Sequence, residues 1–167
     1  MTAPQGNDSA LLFLQKLLAE WGLESLNDSV KDMLTAGDTA DVIPLKLRET
    51  DAYKKRFAGN AARIRNNLPA LSEAEYLATE ASLKDVVRRY VGAGTYDTRD
   101  NLEKWISNDV APQELNTRMQ QYQENFLGQP DWVKQAWATQ GYTPADAITA
   151  VIDPNVTETT LRRRLGA

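Results

Sequence analysis

The fold is decided by one stretch, LEKWISNDVAPQELNTRM at residues 102–119, which has two counterparts elsewhere in the chain. Its first half ends near the apolar Ile106 and is followed by turn-forming residues at 107–110. Leu115 and Met119 lie nine and thirteen residues after Ile106, a spacing that places both on one face of a second helix. The stretch therefore predicts a helix, a turn and another helix.

The same spacing recurs around two further apolar anchors, Leu34 and Ile152. The matched positions, with the basic residue beside them, are Ile43, Leu47 and Arg48 in the first copy, Leu115, Met119 and Arg118 in the second, and Leu161, Leu165 and Arg164 in the third. Because the anchors are 72 and then 46 residues apart, the chain is not a solenoid of fixed period. The alternative to a true repeat is chance similarity between helical hairpins. The well-formed helix start at residues 143–146 argues against chance.

The fifth residue after each anchor is predicted to cap the second helix. These residues are Thr39, Ala111 and Thr157. Alanine has no side-chain acceptor, so the cap at Ala111 is expected to be weaker than the other two by about 1 kcal/mol. Pro112, the next residue, nevertheless suits the first turn of a helix. Pro44 predicts that the corresponding helix of the first copy begins late, near Asp41, because a proline deeper inside would lose a hydrogen bond.

Three further helices are predicted from caps and periodicity. The first is capped by Ser9, ends at Gly22 and has a broad apolar face, which is interpreted either as core or as a surface for a partner. The residues of that face are Leu11, Leu14, Leu18 and Trp21, widened by Leu12, Phe13 and Leu17. The second is a short helix over residues 50–57, ended by Gly59 and followed by a basic turn through Arg63 and Arg65. The third is a long helix opened by the capping box at residues 72–75.

No strand pattern competes with these helices, so the chain is predicted to be all-α. We expect an irregular bundle of about eight to nine short helices that includes three helix-turn-helix elements. Residues 1–8 are expected to form a polar N-terminal arm, and residues 9–167 a single domain with possible sub-lobes at 9–71 and 72–167. The apolar run at residues 10–14 is far too short to span a membrane and no basic leader precedes it, so no membrane partner is expected.

Composition excludes the most familiar kinds of active site. The 167 residues include neither cysteine nor histidine, which removes disulfides, thiolate nucleophiles, imidazole bases and the common ligands of zinc and haem. No glycine-rich phosphate loop or nucleophile elbow occurs. We therefore predict a protein that is not an enzyme, with no catalytic residues, metal site or cofactor.

Two groups of carboxylates are candidates for functional sites. Glu73, Glu75 and Glu80 could serve a peptidoglycan-cleaving enzyme, but their place at the start of a helix favours capping and solvated roles. Residues 97–101, DTRDN, have oxygen ligands at loop spacing but lack the central glycine and distal glutamate of a calcium loop. Neither group is predicted to be a site.

Clusters of basic residues suggest contact with phosphate. They are Lys54, Lys55 and Arg56, the pair Arg88 and Arg89, and the triplet Arg162, Arg163 and Arg164. A DNA-binding or packaging accessory protein that uses the last two clusters is the alternative function. Against it, the net charge is -4 and the second helix of the middle copy lacks a basic face, so nucleic acid is not an expected partner.

Four segments, at residues 47–59, 68–76, 108–118 and 141–161, resemble a family of small helical virion proteins of tailed bacteriophages, especially phages of actinobacteria. The resemblance covers roughly residues 23–165. The chain departs from the family pattern at Ala111, because the family is expected to have a serine at this capping position. Because the shared positions are caps, turns and core residues, no functional residues carry over from the family.

The resemblance implies a non-enzymatic structural or adaptor component of the tail or the head-to-tail region. Such a protein would be assembled in the host cytoplasm, reside in the virion, and dock onto other virion proteins in several symmetric copies. Its expected interaction residues are the apolar Leu11, Leu12 and Phe13 and the basic Arg88, Arg89, Arg162, Arg163 and Arg164. A tail-associated peptidoglycan-cleaving enzyme is the third interpretation.

Overall fold

The structure is a computed structural model that describes residues 5–156. Within that range the chain is all-α, as the sequence predicts, with ten α-helices and no strand. The chain forms two compact units, which divide between Ala61 and Ala62. The sub-lobe boundary expected from the sequence, at residues 71 and 72, lies further along the chain.

The first unit contains four helices and the start of a fifth. They are α1 (Gln5–Trp21), a 3₁₀ turn (Glu24–Leu26), α2 (Asn27–Thr35), α3 (Ile43–Arg48), α4 (Asp51–Arg56) and α5 (Ala58–Arg65), whose last residues belong to the second unit. The helices bury a row of apolar side chains from α1, α2 and α3: Leu14, Leu18, Val30, Leu34, Ile43 and Leu47. Trp21 packs edge-on against Tyr53 and Phe57, with ring centroids 5.5 and 5.9 Å away.

The second unit continues from α5 through five further helices and a π-helical turn. They are α6 (Glu73–Val91), α7 (Arg99–Ser107), α8 (Pro112–Tyr122), a π-helical turn (Gln123–Leu127), α9 (Asp131–Thr139) and α10 (Pro144–Ile152). Helix α8 lies centrally because α6 and α10 both pack on it, and the π-helical turn continues it directly. The fully buried side chains here include Tyr76, Leu83, Trp105, Ile106, Leu115 and Met119.

Helix-turn-helix geometry is present at the predicted anchors. Leu34 and Ile106 lie at the ends of α2 and α7 and are buried, and the apolar pairs nine and thirteen residues later are fully buried in α3 and α8. Ile152 ends α10 in the third copy. Thr157, Leu161 and Leu165 lie outside the described residues, so the second helix of that copy stays a prediction.

Five of the described helices end in the same way. The turn-forming residues of the sequence predicted turns but not this type of helix end. In each, a residue with positive φ follows the helix, and the next amide donates to a carbonyl five residues earlier. This is a Schellman motif, which satisfies the last carbonyls of a helix. The positive-φ residues are Gly22, Gly37, Asn67, Asp109 and Gly141. The third helix-turn-helix copy differs, because Asp153 precedes a proline and is therefore extended.

The predicted caps are mostly in place. Ser72 and Thr143 both form capping boxes with the carboxylates of Glu75 and Asp146, and Ala111 begins α8 without a side-chain hydrogen bond. Thr39 is not a cap, because α3 begins at Ile43, even later than Pro44 led us to expect. Thr39 instead opens a turn in which its carbonyl accepts the amides of residues 42 and 43.

Two other boundaries differ from the sequence prediction. Helix α1 begins at Gln5, so Ser9 lies inside it and residues 5–8 are helical rather than part of an arm. Extending a formed helix adds one hydrogen bond per residue, and Asp8 in the first turn interacts favourably with the helix dipole. The basic turn expected after Gly59 is also wrong, because residues 58–65 form α5. None of the described helices is long and apolar enough to cross a membrane.

Candidate functional site

The apolar face of α1 divides into a core side and an outward side. Leu14, Leu18 and Trp21 are buried, whereas Leu12 and Phe13 are 68% and 60% exposed. Leu11, between them, is half-buried. The prediction that Leu12 and Phe13 widen the buried stripe is therefore wrong, and the use of this face by a partner stays a prediction.

Arg88, at the end of α6, is engaged by its own fold. Its guanidinium pairs with the carboxylate of Asp97, whose other oxygen accepts the amide of Gly94 at 2.7 Å. The pair closes the loop between α6 and α7, while the neighbouring Arg89 is exposed. Because of this ion pair, Arg88 is less available to a phosphate group than its cluster with Arg89 in the sequence suggests. Arg162, Arg163 and Arg164 lie outside the described residues.

The segment considered as a calcium loop is a helix start. Asp97 binds Arg88, and the hydroxyl of Thr98 accepts the amide of Asn101 at 3.3 Å as the cap of α7. The Asn101 side-chain amide donates to the carbonyl of Tyr96. Residues 5–156 contain no group of three carboxylates, or other ligand side chains, that could hold a metal ion.

The two carboxylates that close capping boxes, Glu75 and Asp146, have lowered pKa values. The Ser72 amide, followed by its hydroxyl, lowers the pKa of Glu75, and the Thr143 hydroxyl, followed by its amide, lowers that of Asp146. A general acid needs the opposite shift, so the geometry of Glu75 suits capping rather than glycoside cleavage. Glu73 and Glu80 also have interaction partners in the fold.

Asp97 gives a pH-dependent test of these local structures. The Arg88 guanidinium, and then the Gly94 amide, lower the pKa of Asp97 from its usual 3.8. Its stabilising effect is therefore complete above pH 3.8 and is lost as the pH falls through the lower folded-state pKa. We expect Asp97→Asn to lower the thermal midpoint at neutral pH, and the difference from the natural chain to shrink in acid. Asp85→Asn, at an exposed position of α6, is the control; an undiminished difference in acid would contradict the assignment.

Three arginines are buried among residues 5–156, and each donates to a carbonyl at the end of a helix. Arg56 donates to Trp21 at the end of α1, Arg63 to Ile106 in α7, and Arg118 to Asp153 after α10. Arg118 also pairs with Glu114 one turn earlier on α8, at 2.6 Å. These arginines neutralise helix C-termini inside the fold, so Arg56 and Arg118 are not part of a basic surface.

Sequence reasoning missed an exposed aromatic surface on α9. None of its nine residues, all of which the structure describes, is buried, and Trp132 is 72% exposed. Trp132 and Trp137 are five residues apart and therefore point about 140° apart around the helix. The sequence spacing thus contained the signal that at most one of them could pack onto the core.

The outward face of α9 is uncharged, and an aromatic stack lies behind the helix. Four exposed residues form this face: Trp132, Gln135, Ala136 and Thr139. On the other side Trp137 stacks on Phe126 with ring centroids 5.2 Å apart, and Phe126 stacks on Tyr122 at 5.7 Å. Gly128 follows the π-helical turn that carries Phe126, and a β-carbon there would lie 3.0 Å from the Glu124 carbonyl oxygen. Trp137 thus joins α9 to the aromatic stack of Phe126 and Tyr122.

Two cavities in the second unit have no free charged group pointing into them. One of about 200 Å³ is lined by Arg63 and Asp109, which pair with each other at 2.7 Å. Another of about 430 Å³ lies beside Tyr142, with Asp146 and Asp153 in its wall. Asp146 binds Thr143, and the Asp153 carboxylate accepts the amide of Asn155 at 2.9 Å. Both cavities are thus lined by groups that the fold already uses.

Comparison with protein-family models, with curated proteins and with solved structures finds no match to this chain.

Proposed function

We propose that this protein is a non-enzymatic structural or adaptor component of a tailed-phage virion, and that it docks onto other proteins of the tail or the head-to-tail region. The proposal draws on the resemblance to small helical virion proteins. The single structural observation that supports it is the exposed, uncharged face of α9 around Trp132.

The composition of that face is that of a protein interface. Tryptophan is enriched at the centre of interfaces and charged residues are depleted there. Asp131 and Lys134, the charged residues of α9, pair with each other at 3.2 Å beside the face rather than within it. A partner could therefore cover Trp132 without having to bury an unpaired charge.

The support of the face also suits docking. Because Trp137, Phe126 and Tyr122 form a stack behind α9, the helix is held in place before a partner arrives. A preordered surface loses less conformational entropy on binding than a mobile one. The expected partner is a virion protein with an apolar pocket that accepts the indole ring of Trp132. Leu127, which is 44% exposed at the end of the π-helical turn, is a second apolar contact.

Replacing Trp132 tests this function. In the phage that encodes the chain, we expect mass spectrometry of purified particles to detect the natural protein, and Trp132→Ala to reduce its incorporation at least tenfold, as for a central interface residue. Because the side chain is 72% exposed, the variant should keep the natural thermal midpoint.

The control is Ile64→Ala, which removes a side chain that is 62% exposed in the same unit. We expect this variant to be incorporated normally. Absence of the natural chain from intact particles would contradict the virion role. Normal incorporation of the Trp132 variant would contradict docking through α9 and leave the virion role to another surface.

A further inference from the structure

The outward face of α1 carries a charge pattern that is complementary to itself. The charged residues of α1 are Asp8, Lys16 and Glu20. Asp8 and Lys16 lie four residues before and after Leu12, so one helical turn separates each of them from the exposed apolar residues. Both are exposed, and neither has an ion-pair partner among residues 5–156.

We propose that α1 is a self-association surface, on which a second copy of this chain packs antiparallel about a twofold axis near Leu12 and Phe13. This inference does not rest on the virion role. In such a pair the two apolar residues of one copy cover those of the other, and identical contacts occur on both sides of the axis.

The antiparallel direction follows from the charges. Asp8 and Lys16 are each about 6 Å along the helix from Leu12, so Asp8 of one copy lies opposite Lys16 of the other. Even at a crossing angle of about 50°, the two helices diverge by only about 5 Å at that distance, which a lysine side chain can span. A parallel pair would instead oppose like charges. Glu20 lies eight residues, or about 12 Å, beyond Leu12 and is therefore outside the paired region.

Charge reversal separates this arrangement from other modes of association. Sedimentation equilibrium of the full chain, from about 10 μM to about 1 mM, should show a monomer–dimer equilibrium. We expect Asp8→Lys or Lys16→Asp to weaken the dimer about tenfold, because each replaces two attractions with two repulsions. The double variant restores opposite charges and should return to within about threefold of the natural chain.

Matched variants separate loss of the interface from loss of the fold. Phe13→Ala should weaken the dimer, whereas Leu45→Ala, at a side chain 59% exposed in the same unit, should leave it unchanged. Far-UV circular dichroism and the thermal midpoint show whether each variant is folded. Lys16→Asp is the primary variant, since Asp8 also favours the start of α1 through the helix dipole.

A disulfide trap gives an independent measurement. The chain has no cysteine, so Leu12→Cys introduces a single thiol. Identical residues meet only near the twofold axis, and a disulfide needs α-carbons within about 7 Å. Mild oxidation should therefore link Leu12→Cys into a covalent dimer much faster than Leu45→Cys. A natural chain that stays monomeric to about 1 mM, a double charge variant as weak as the single ones, or equal oxidation rates would overturn the proposal.

Discussion

Replacing Trp105 with alanine is expected to lower the free energy of unfolding by about 4 kcal/mol, the largest effect of any single change discussed for this protein. The ring is 1% exposed in α7, and its Nε1–H donates to the carbonyl of Ile152 at 2.7 Å. Alanine leaves a cavity the size of the indole and also removes the donor that satisfies the end of α10. Denaturant unfolding followed by far-UV circular dichroism measures the loss.

Trp105→Phe divides that effect into its two causes. Phenylalanine keeps most of the apolar volume but cannot donate to Ile152, so we expect a loss of about 2 kcal/mol. Amide hydrogen exchange over α10 should rise in both variants, because its last turn loses a partner. If Trp105→Ala cost no more than Trp105→Phe, packing of the indole would not be the main source of stability at this position.

Arg63→Ala is expected to cost about 3 kcal/mol. The side chain is buried at 5% exposure and donates to three groups from different segments: the carbonyls of Pro69 and Ile106 and the carboxylate of Asp109. Its removal leaves the Ile106 carbonyl without the cation that faces the end of α7. Denaturant unfolding measures the loss, and hydrogen exchange over residues 99–110 should increase with it.

Asp109→Asn is the matched control for the arginine. Asparagine tolerates the positive φ of 59° found at this position, and the Asp109 side chain is 61% exposed. The charge pair at 2.7 Å is therefore screened by solvent, and we expect its loss to cost less than about 1 kcal/mol. An Asp109→Asn effect as large as that of Arg63→Ala would show that the ion pair, rather than the buried carbonyl bonds, makes Arg63 important.

Local chemistry explains which parts of the fold were predictable. Ser72 and Thr143 form their capping boxes with residues three positions away, so the sequence alone identifies both helix starts. The apolar spacing around Ile106 likewise predicts which side chains of α8 are buried. The start of α1 was less predictable, because Ser9 has the chemistry of a cap yet lies inside a helix that propagates beyond it.

Tertiary packing, and not the local sequence, determines which apolar side chains of α1 and α9 are exposed. Periodicity identifies Leu12, Phe13, Leu14 and Leu18 as one broad apolar group, but α2 and the 3₁₀ turn pack on only part of α1. The width of the contact made by neighbouring helices decides which of these side chains stay exposed. Trp132 is exposed for the same reason, since Trp137 takes the place on the aromatic stack.

The sequence by itself thus determined an all-α chain, the helix starts at Ser72 and Thr143, and the spacing of helix, turn and helix at the first two anchors. Hydrogen bonds and side-chain spacing within a few residues specify these features. Only the tertiary structure decided that Arg56, Arg63 and Arg118 close helix ends inside the fold. The helix-end carbonyls that they bind lie 35 or more residues away in the sequence, and such long-range proximity is set by how the helices pack. The same packing left the apolar side chains on the outward faces of α1 and α9 exposed.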